Sequence, residues 1–402
     1  MNVRTLTEQI LQKMPGIGRW QFKFILNLFP LLLAMRGRYN FCNMARWSEY
    51  QESTFRQNYD RPFDWLRFNS LLARRFLSTD VAIAFDPSFV PKSGKHTPGI
   101  GYFYSGCAGR ELRGLELSGL AVVDLHDKTA LHLEAVQTVD LQADETLLEF
   151  YARTIVSRRE QLQQLSRLLV VDAYFSRQPF VNIMVQNGFQ VITRLRKDVR
   201  LRYLYTGPDQ RGKGRPKQFD GSVDVRCLRM DQVKTCARAE DASWIAYELT
   251  ANVQAWKRTA KLVIVHELRP DGQIKAVRII ACTDPGMDGG EVLLAYHSRF
   301  QIELLYRDAK QHLGLTHCQA RSKAKMHYHL NAALTTVSLA KAAHHLTIPQ
   351  GERPSFSLAS IKTQYAHDLL LDRFISTFGI NPNLSKIKPI RERFRKLGKI
   401  AA

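Results

Sequence analysis

Residues 167–175 read RLLVVDAYF, an apolar run that ends in an acid, Asp172. A short apolar run bounded by polar residues is typical of a strand that is buried on both faces. The stretch VAIAFD (81–86) has the same form and ends in Asp86. We therefore predict two buried strands, each of which carries a carboxylate at its end.

The neighbouring sequence supplies the rest of an α/β unit. Short strand-like stretches at regular spacing predict further strands at 101–106, 115–125, 129–139 and 189–196. Helical periodicity predicts helices at 144–167 and at 177–188, the second of which ends at Gly188. Strands and helices in this order predict a mixed sheet with helical cover.

Regions outside this unit have different patterns. Residues 5–75 are helical by periodicity, and 39–60 within them fit either a helix-turn-helix or an ordinary helical hairpin. Residues 196–289 contain a basic loop and several strand-like stretches. They predict a β-rich insertion, because structureless loops of that length are rare in compact domains. Residues 361–378 predict a further helix, and 385–400 form a basic tail.

The charge of the chain indicates its class of partner. Lys and Arg number 58 against 37 Asp and Glu, which gives a formal net charge of +21. This excess favours nucleic acid over a membrane surface, because neutralised phosphates release counterions. The cysteines include no CxxC pair, which indicates reduced thiols in a cytosolic protein. We expect neither a signal peptide nor a membrane segment, since no apolar run is long enough.

The stretch YHSRFQIELLYRDAKQHLG (296–314) predicts a helix with an unusual polar side. At 100° per residue, four of its side chains fall within about a 60° arc. These are Tyr296, Arg299, Glu303 and Lys310. Asp308 points elsewhere on the same helix, so Glu303 is the one acid on this side.

Asp86, Asp172 and Glu303 together suggest a metal site. Carboxylate oxygens are the ligands that Mg²⁺ prefers, and two such ions can activate water and stabilise the leaving oxygen of a phosphodiester. Arg299 and Lys310 would then hold the phosphates of the strand being cut. Asp124 and Asp284 also follow apolar strands, and each remains an alternative to Asp86 or Asp172.

At these residues the sequence resembles the DDE transposases of bacterial insertion sequences, specifically the fourth insertion-sequence family. That family is marked by Tyr, two residues, Arg, three residues, Glu, six residues and Lys, which the residues from Tyr296 to Lys310 match without a gap. DAYF (172–175) resembles the second Asp motif of the family, and AFDPSFVPKSGK (84–95) resembles the first. The resemblance covers roughly residues 75–345.

The resemblance implies a domain organisation. It implies a ribonuclease H-like catalytic core, split between 76–195 and 290–345 and interrupted by the β-strand insertion 196–289. Outside the resemblance, the helical N-terminal region 1–75 is a candidate for DNA binding through the helix-turn-helix interpretation of 39–60. The helical, basic C-terminal region 346–402 would pair two protomers, so the expected assembly is a homodimer in a synaptic complex.

The resemblance also implies an activity and its cofactor. Asp86, Asp172 and Glu303 would bind two Mg²⁺ ions, for which Mn²⁺ can substitute. The enzyme would nick transposon ends at their terminal inverted repeats, and the freed 3′-hydroxyl would attack, commonly through a hairpin, before strand transfer into target DNA. Tyr296 and the two cations of the pattern would contact the double-stranded DNA end. The expected location is the bacterial cytoplasm, at the nucleoid.

Further residues are candidates for contact with DNA. Lys92 lies in the loop after the first Asp, and Arg215 and Lys217 lie in the basic loop of the insertion. Some members of the family stack a flipped base on an aromatic residue of the insertion, for which Trp244 and Trp256 are candidates, with a core role as the alternative for each.

Two other functions are consistent with the sequence. One is a catalytically silent, domesticated DNA-binding derivative that acts as a repressor, against which the complete set of three acids argues. The other is a plain nuclease without strand transfer.

Overall fold

The computed structural model describes residues 2–106, 108–139, 141–208 and 216–398. The helices in these ranges are α1 (Val3–Leu11), α2 (Arg19–Ala34), α3 (Phe41–Arg46), α4 (Glu52–Asn58), α5 (Trp65–Phe76), α6 (Leu147–Val156), α7 (Arg159–Gln163), α8 (Gln178–Gln186), α9 (Gly289–Ser298), α10 (Gln301–His312), α11 (Lys323–His344), α12 (Leu358–Thr377) and α13 (Ile387–Lys396). The strands are β1 (Val81–Pro91), β2 (Gly101–Ser105), β3 (Arg110–Asp124), β4 (Thr129–Gln137), β5 (Leu168–Val170), β6 (Gln190–Leu195), β7 (Leu201–Leu204), β8 (Phe219–Ser222), β9 (Lys234–Arg238), β10 (Trp244–Val253), β11 (Arg258–Leu268) and β12 (Ile274–Cys282).

The strands form one mixed sheet, which confirms the predicted α/β class. Their order is β2-β3-β1-β5-β6-β12-β11-β10-β7-β8, with β4 beside β3 and β9 beside β10. β5 runs parallel to both β1 and β6, whereas β3 lies antiparallel to β1. The buried helix α11 covers β4 and so closes one face of the core.

The two predicted central strands exist, but they end differently. β5 stops at Val170, shortly before Asp172, as the sequence indicates. β1 continues past Asp86 to Pro91, because the long antiparallel partner β3 still pairs with it as far as Gly114. Asp86 therefore lies inside β1, just beyond the point where the parallel pairing with β5 ends at Ala84.

The β-rich segment predicted at 196–289 continues the same sheet. β12 pairs antiparallel with β6, from Ile279 opposite Leu195 to Cys282 opposite Ile192. The backbone groups on that side of β6 are thereby satisfied by hydrogen bonds, which leaves no open sheet edge at this position.

Two helices that periodicity predicts as continuous are divided in the structure. The helix predicted at 144–167 breaks after α6 at Arg158, whose backbone leaves the helical region and whose guanidinium pairs with Glu134. The helix predicted at 296–314 is divided between α9 and α10, where Phe300 and Glu303 bond to carbonyls three residues back. Arg299 and Phe300 keep right-handed helical dihedrals between the two helices.

The N-terminal pair α3 and α4 packs into the core. Phe55 of α4 is fully buried, and its ring lies 5.7 Å from that of Phe24 in α2. Tyr59, just after α4, is also buried, against Tyr328. This inward face agrees better with the helical hairpin than with a helix that is free to enter a DNA groove.

In the described part of the chain, no helix is long and apolar enough to cross a membrane. The five described cysteines form no disulfide and are free, in line with the expected reduced thiols.

Candidate active site

Asp86 lies at the centre of an acidic cluster between β1 and α10. Its side chain is 18% exposed, and its Oδ1 atom is 3.6 Å from Nη1 of Arg299. Burial raises the pKa of Asp86 to about 7, the charge of Arg299 opposes that shift, and the charges of Asp172 and Glu303 add to it. The three predicted carboxylates are therefore close enough to act on one another electrostatically.

Asp172 is held by its own backbone turn. Its Oδ1 atom accepts a 2.9 Å hydrogen bond from the backbone N–H of Tyr174, so the side chain caps the 3₁₀ turn Ala173–Ser176. The hydroxyl of Thr193 on β6 donates to the Asp172 carbonyl at 2.6 Å. Burial raises the pKa of Asp172, and the Tyr174 N–H and Arg299 oppose that shift. Backbone N–H groups thus fix the orientation of the Asp172 carboxylate.

Glu303 lies in the first turn of α10 and faces the same space. Its Oε1 atom accepts a 2.8 Å hydrogen bond from Nη2 of Arg299, and its side chain is 39% exposed. Arg299 therefore contacts both Asp86 and Glu303. The close approach of this cation compensates part of the repulsion between the two carboxylates.

The donor chemistry of this cluster fits a divalent cation. Carboxylate oxygens from Asp86, Asp172 and Glu303 are hard ligands of the kind that Mg²⁺ and Mn²⁺ take. Within the described ranges, no three acidic, His or Cys side chains stand close enough to enclose an ion as placed. The guanidinium of Arg299 lies between Asp86 and Glu303, so a cation could enter there only after Arg299 moves.

The helix α10 is tied to β1 by two further contacts. Nζ of Lys310 donates to Oγ of Ser88 at 2.9 Å. The hydroxyl of Tyr306 donates to the carbonyl of Asp86 at 2.6 Å. Neither Tyr306 nor Ser88 was predicted as a site residue from the sequence. Ser88 lies two residues after Asp86 on β1, a spacing that puts both side chains on one face of the strand.

Tyr296 opens onto a neighbouring cavity rather than onto the acids alone. Burial raises the pKa of Tyr296, and the nearby cation Arg194 opposes that shift. The cavity measures about 350 Å³, and Arg194, Trp244, Arg278 and Tyr296 are among its lining residues. Neither Arg194 nor Arg278 was predicted as a site residue. Each is an arginine within a predicted strand, and a cation in such a position could have indicated a site residue.

The structure distinguishes the two tryptophans of the insertion. Trp256 is 2% exposed and its Nε1 atom donates to the carbonyl of Ser176 at 2.7 Å, so it has the core role. Trp244 is half-buried at the mouth of the cavity beside Tyr296. Trp244 is therefore the more exposed of the two and lines the cavity.

Of the remaining candidate cations, Lys92 and Lys217 make contacts other than with Asp86, Asp172 or Glu303. Lys92 donates to the carbonyls of Cys318 and Ala320, the second at 3.0 Å, and so links the loop after β1 to the segment before α11. Lys217 pairs with Asp220 at 2.8 Å. Arg215 lies outside the described residues. Their contacts with DNA stay predictions.

The alternative acids have other structural roles. Asp124 is fully buried and accepts hydrogen bonds from the backbone N–H groups of Ser78, His126 and Asp127. Asp284 accepts from the Gln190 side chain and caps a turn. Asp308 is buried against Arg307, on the side of α10 away from Asp86.

Asp86 and Asp172 of the mixed sheet region and Glu303 of the helix α10 thus lie around the cation Arg299. The chain belongs to the DDE superfamily endonuclease family, whose model matches residues 23–261. That match includes Asp86 and Asp172 and ends before Glu303. Members of this family generally use divalent metal ions.

Similarity to individual proteins is weaker. Among solved structures, the chain is similar to a piggyBac transposase in a cryo-EM structure of its synaptic complex with hairpin DNA, at a TM-score of 0.41 and 11% sequence identity. That alignment covers 98% of this chain and 81% of the other. No curated protein matches the sequence significantly.

Proposed function

We propose that the protein is a DNA transposase of a bacterial insertion sequence, of the fourth insertion-sequence family, which cleaves transposon ends and transfers them into target DNA. The observation that carries the proposal is the electrostatic influence of Asp172 and Glu303 on Asp86, together with the contacts of Arg299 to Asp86 and Glu303. The gapless four-residue pattern that contains Glu303 supports the assignment to this family.

The proposed domains are a ribonuclease H-like core, 76–195 with 290–345, the insertion 196–289, and the helical regions 1–75 and 346–402. The placement of the two Asp residues beside neighbouring parallel strands supports this core. β1 and β5 pair in parallel, with Ile83 opposite Leu169 and Ala84 opposite Val170. The strand ends that precede Asp86 and Asp172 therefore lie side by side.

Asp86, Asp172 and Glu303 would hold two Mg²⁺ ions, or Mn²⁺ in their place. When bound, such ions activate water and stabilise the leaving oxygen of the phosphodiester. The residues of the chain bind and orient the DNA. Lys310 holds Ser88 at 2.9 Å and keeps its positive charge beside the cluster. Arg299, once released from the carboxylates, can bind a phosphate as a bidentate donor.

The cavity beside Tyr296 would receive an unpaired base of the DNA end. Trp244 supplies a partly exposed aromatic ring and Arg194 supplies positive charge, whereas Arg278 pairs with Glu267 of the same lining. Stacking on an aromatic ring contributes about 1–3 kcal/mol per base, and cations at the same place favour the adjoining phosphate. Lys92, Arg215 and Lys217 remain proposed contacts to the backbone of the double-stranded DNA.

The C-terminal region would join two protomers in the synaptic complex. Leu370, Phe374 and Phe378 follow one another at four-residue spacing along and just after α12, and all are more than half exposed. Phe394 and Leu397 at the end of α13 add exposed apolar surface. Apolar surface of this extent on paired helices is typical of an interface.

A cleavage and joining assay tests the proposal. The substrate is labelled DNA that contains the inverted repeats flanking the gene, incubated with Mg²⁺ and a target plasmid. We expect the wild-type protein to nick and join this DNA, and Glu303→Gln to lose at least 100-fold in rate. Asp308→Asn changes an acid on the same helix that faces away from Asp86, and should keep most of the activity.

The other outcomes separate the alternatives. Equal activity of Glu303→Gln and the wild type would refute the site assignment. Cutting without joined products would identify a plain nuclease. Binding of the repeats without cutting, in both the wild type and the variant, would identify a repressor.

A further inference from the structure

A buried tyrosine links the helix of Glu303 to the strand of Asp86. Tyr306 lies three residues after Glu303 on α10, is 5% exposed, and donates its hydroxyl hydrogen to the Asp86 carbonyl at 2.6 Å. Residues three apart on a helix share a face, so Tyr306 lies on the same face of α10 as Glu303. Tyr306 belongs to none of the groups that would hold metal or DNA.

A glycine on the next strand leaves room for this hydroxyl. Gly119 of β3 is the register partner of Asp86. A Cβ atom at Gly119 would lie 1.8 Å from the Tyr306 hydroxyl oxygen and 2.8 Å from Cζ of that ring. Contacts under 3.0 Å force a displacement, and the backbone of Gly119 is not in the left-handed region. Space for the hydroxyl therefore accounts for the glycine.

We infer that Tyr306 is a positioning residue for the metal site, which sets the distance between Asp86 and Glu303 by seating its hydroxyl in the gap at Gly119. The inference rests on the proposed function, because it takes both acids as metal ligands.

The Tyr306 contact is one of two ties between α10 and β1. Lys310 and Ser88 form the second tie between α10 and β1, one turn further along the helix. Loss of the Tyr306 hydroxyl should therefore shift the part of α10 that carries Glu303, while the contact between Lys310 and Ser88 keeps the helix attached to β1.

Groups that orient metal ligands typically change metal affinity by about 10- to 100-fold when they are removed. We expect Tyr306→Phe to weaken Mn²⁺ binding by about tenfold in the DNA-free protein, measured by the free Mn²⁺ signal in electron paramagnetic resonance. Nicking should need a correspondingly higher Mg²⁺ concentration and approach the wild-type rate at saturating Mg²⁺. Wild-type metal affinity in Tyr306→Phe would overturn the inference, even if the variant melts at a lower temperature.

Tyr328→Phe is the matched control. Tyr328 is a buried tyrosine of the neighbouring helix α11, and its hydroxyl has no hydrogen-bond partner among the described residues. Removal of that hydroxyl should leave Mn²⁺ affinity unchanged. An equal loss of affinity in Tyr328→Phe would refute a specific role of Tyr306.

The glycine supplies a second, independent test. Gly119→Ala should weaken Mn²⁺ binding more than Tyr306→Phe does, because the new methyl group displaces the hydroxyl and α10 with it. In the double variant the clash is smaller, since Phe has no hydroxyl, although the ring carbon at 2.8 Å still has to shift. The double variant should therefore bind Mn²⁺ more tightly than Gly119→Ala alone. Strictly additive losses would count against the inference.

The same titration separates this inference from the proposed function. Asp86→Asn and Glu303→Gln should each abolish tight Mn²⁺ binding. If they bind Mn²⁺ as the wild type does, the proposed metal site is wrong, and the inference is lost with it. If they lose binding while Tyr306→Phe and Gly119→Ala retain it, the metal site stands and only the role of Tyr306 is wrong.

Discussion

Nη2 of Arg299 donates a 2.8 Å hydrogen bond to Oε1 of Glu303, four residues later in the chain. The other terminal nitrogen of the guanidinium lies 3.6 Å from Asp86. Arg299 thus supplies a positive charge to two acids that would hold a metal ion in the proposed site. A divalent cation has to compete with this guanidinium before the site can act.

Removal of that competitor should tighten metal binding. We expect Arg299→Gln to bind Mn²⁺ about five- to tenfold more tightly in the absence of DNA, since a nearby unit charge contributes on the order of 1 kcal/mol in a partly solvated site. Arg307→Gln on the same helix, where the guanidinium pairs with Asp308, is the control and should leave the affinity unchanged. Weaker binding in Arg299→Gln would show that Arg299 assists the ion instead of opposing it.

The pH dependence of the stability of the metal-free protein should reveal the cost of ionising the buried Asp86 carboxyl group. Its pKa is about 7 in the fold against an ordinary 3.8, so the native state binds this proton more tightly than the unfolded chain does. The stabilisation that this more tightly bound proton contributes to the native state is fully present below about pH 4 and is lost as the pH rises through about 7. Asp86→Asn removes this dependence.

In thermal or urea unfolding with EDTA, the stability of Asp86→Asn relative to the wild type should therefore rise by on the order of 2 kcal/mol between pH 5 and pH 8. A constant difference over that range would contradict a buried, electrostatically disfavoured Asp86.

Substitution of the two tryptophans of the insertion should affect different properties, stability for Trp256 and DNA binding for Trp244. Trp256→Ala removes a buried ring and its hydrogen bond to Ser176, and should cost about 3–5 kcal/mol of unfolding free energy. Trp244→Ala should change stability by less than about 1 kcal/mol but weaken binding to a DNA end with an unpaired base by about 1–3 kcal/mol. Fluorescence anisotropy with paired and unpaired ends measures this, and equal losses on both ends would argue against base stacking.

Lys362 should be a strong determinant of stability. Its Nζ atom donates to the carbonyls of Leu32, Leu33 and Met35 at 3.2, 3.3 and 3.1 Å, which are carbonyls at the end of α2. Lys362→Met leaves the carbonyls of Leu33 and Met35 without this donor, whereas the Tyr39 hydroxyl still donates to the Leu32 carbonyl, and we expect a loss of about 2–4 kcal/mol in urea unfolding. Exposed Lys386→Met is the control, and a loss below about 1 kcal/mol in Lys362→Met would contradict this capping role.

Local sequence patterns predicted much of the core correctly. The apolar runs that end in Asp86 and Asp172 form adjacent parallel strands, and Gly188 ends a helix at the expected place with φ of 81°. These features depend on residues close together in the chain. The helical period likewise put Glu303 on the side of α10 that faces Asp86 and turned Asp308 away from it.

Features that depend on distant contacts were not predictable in this way. Periodicity continues smoothly through Arg158 and Arg299, although a pairing with Glu134 accompanies the first helix break and a tightened turn produces the second. Lys92 looked like a loop cation, yet its ammonium bonds to the carbonyls of Cys318 and Ala320 far along the chain. The need for a glycine at position 119 follows only from the position of the Tyr306 hydroxyl, which local sequence does not predict.

The pairing of β12 with β6 also sets the order in which the chain can fold. During synthesis, β6 emerges long before residues 274–282, which supply its hydrogen-bonding partner on one side. Until then β6 presents an unpaired edge, and pairings between such distant segments form slowly. The strand next to Asp172 therefore acquires its final neighbours late, so the protein should be most exposed to aggregation before its third acid has been made.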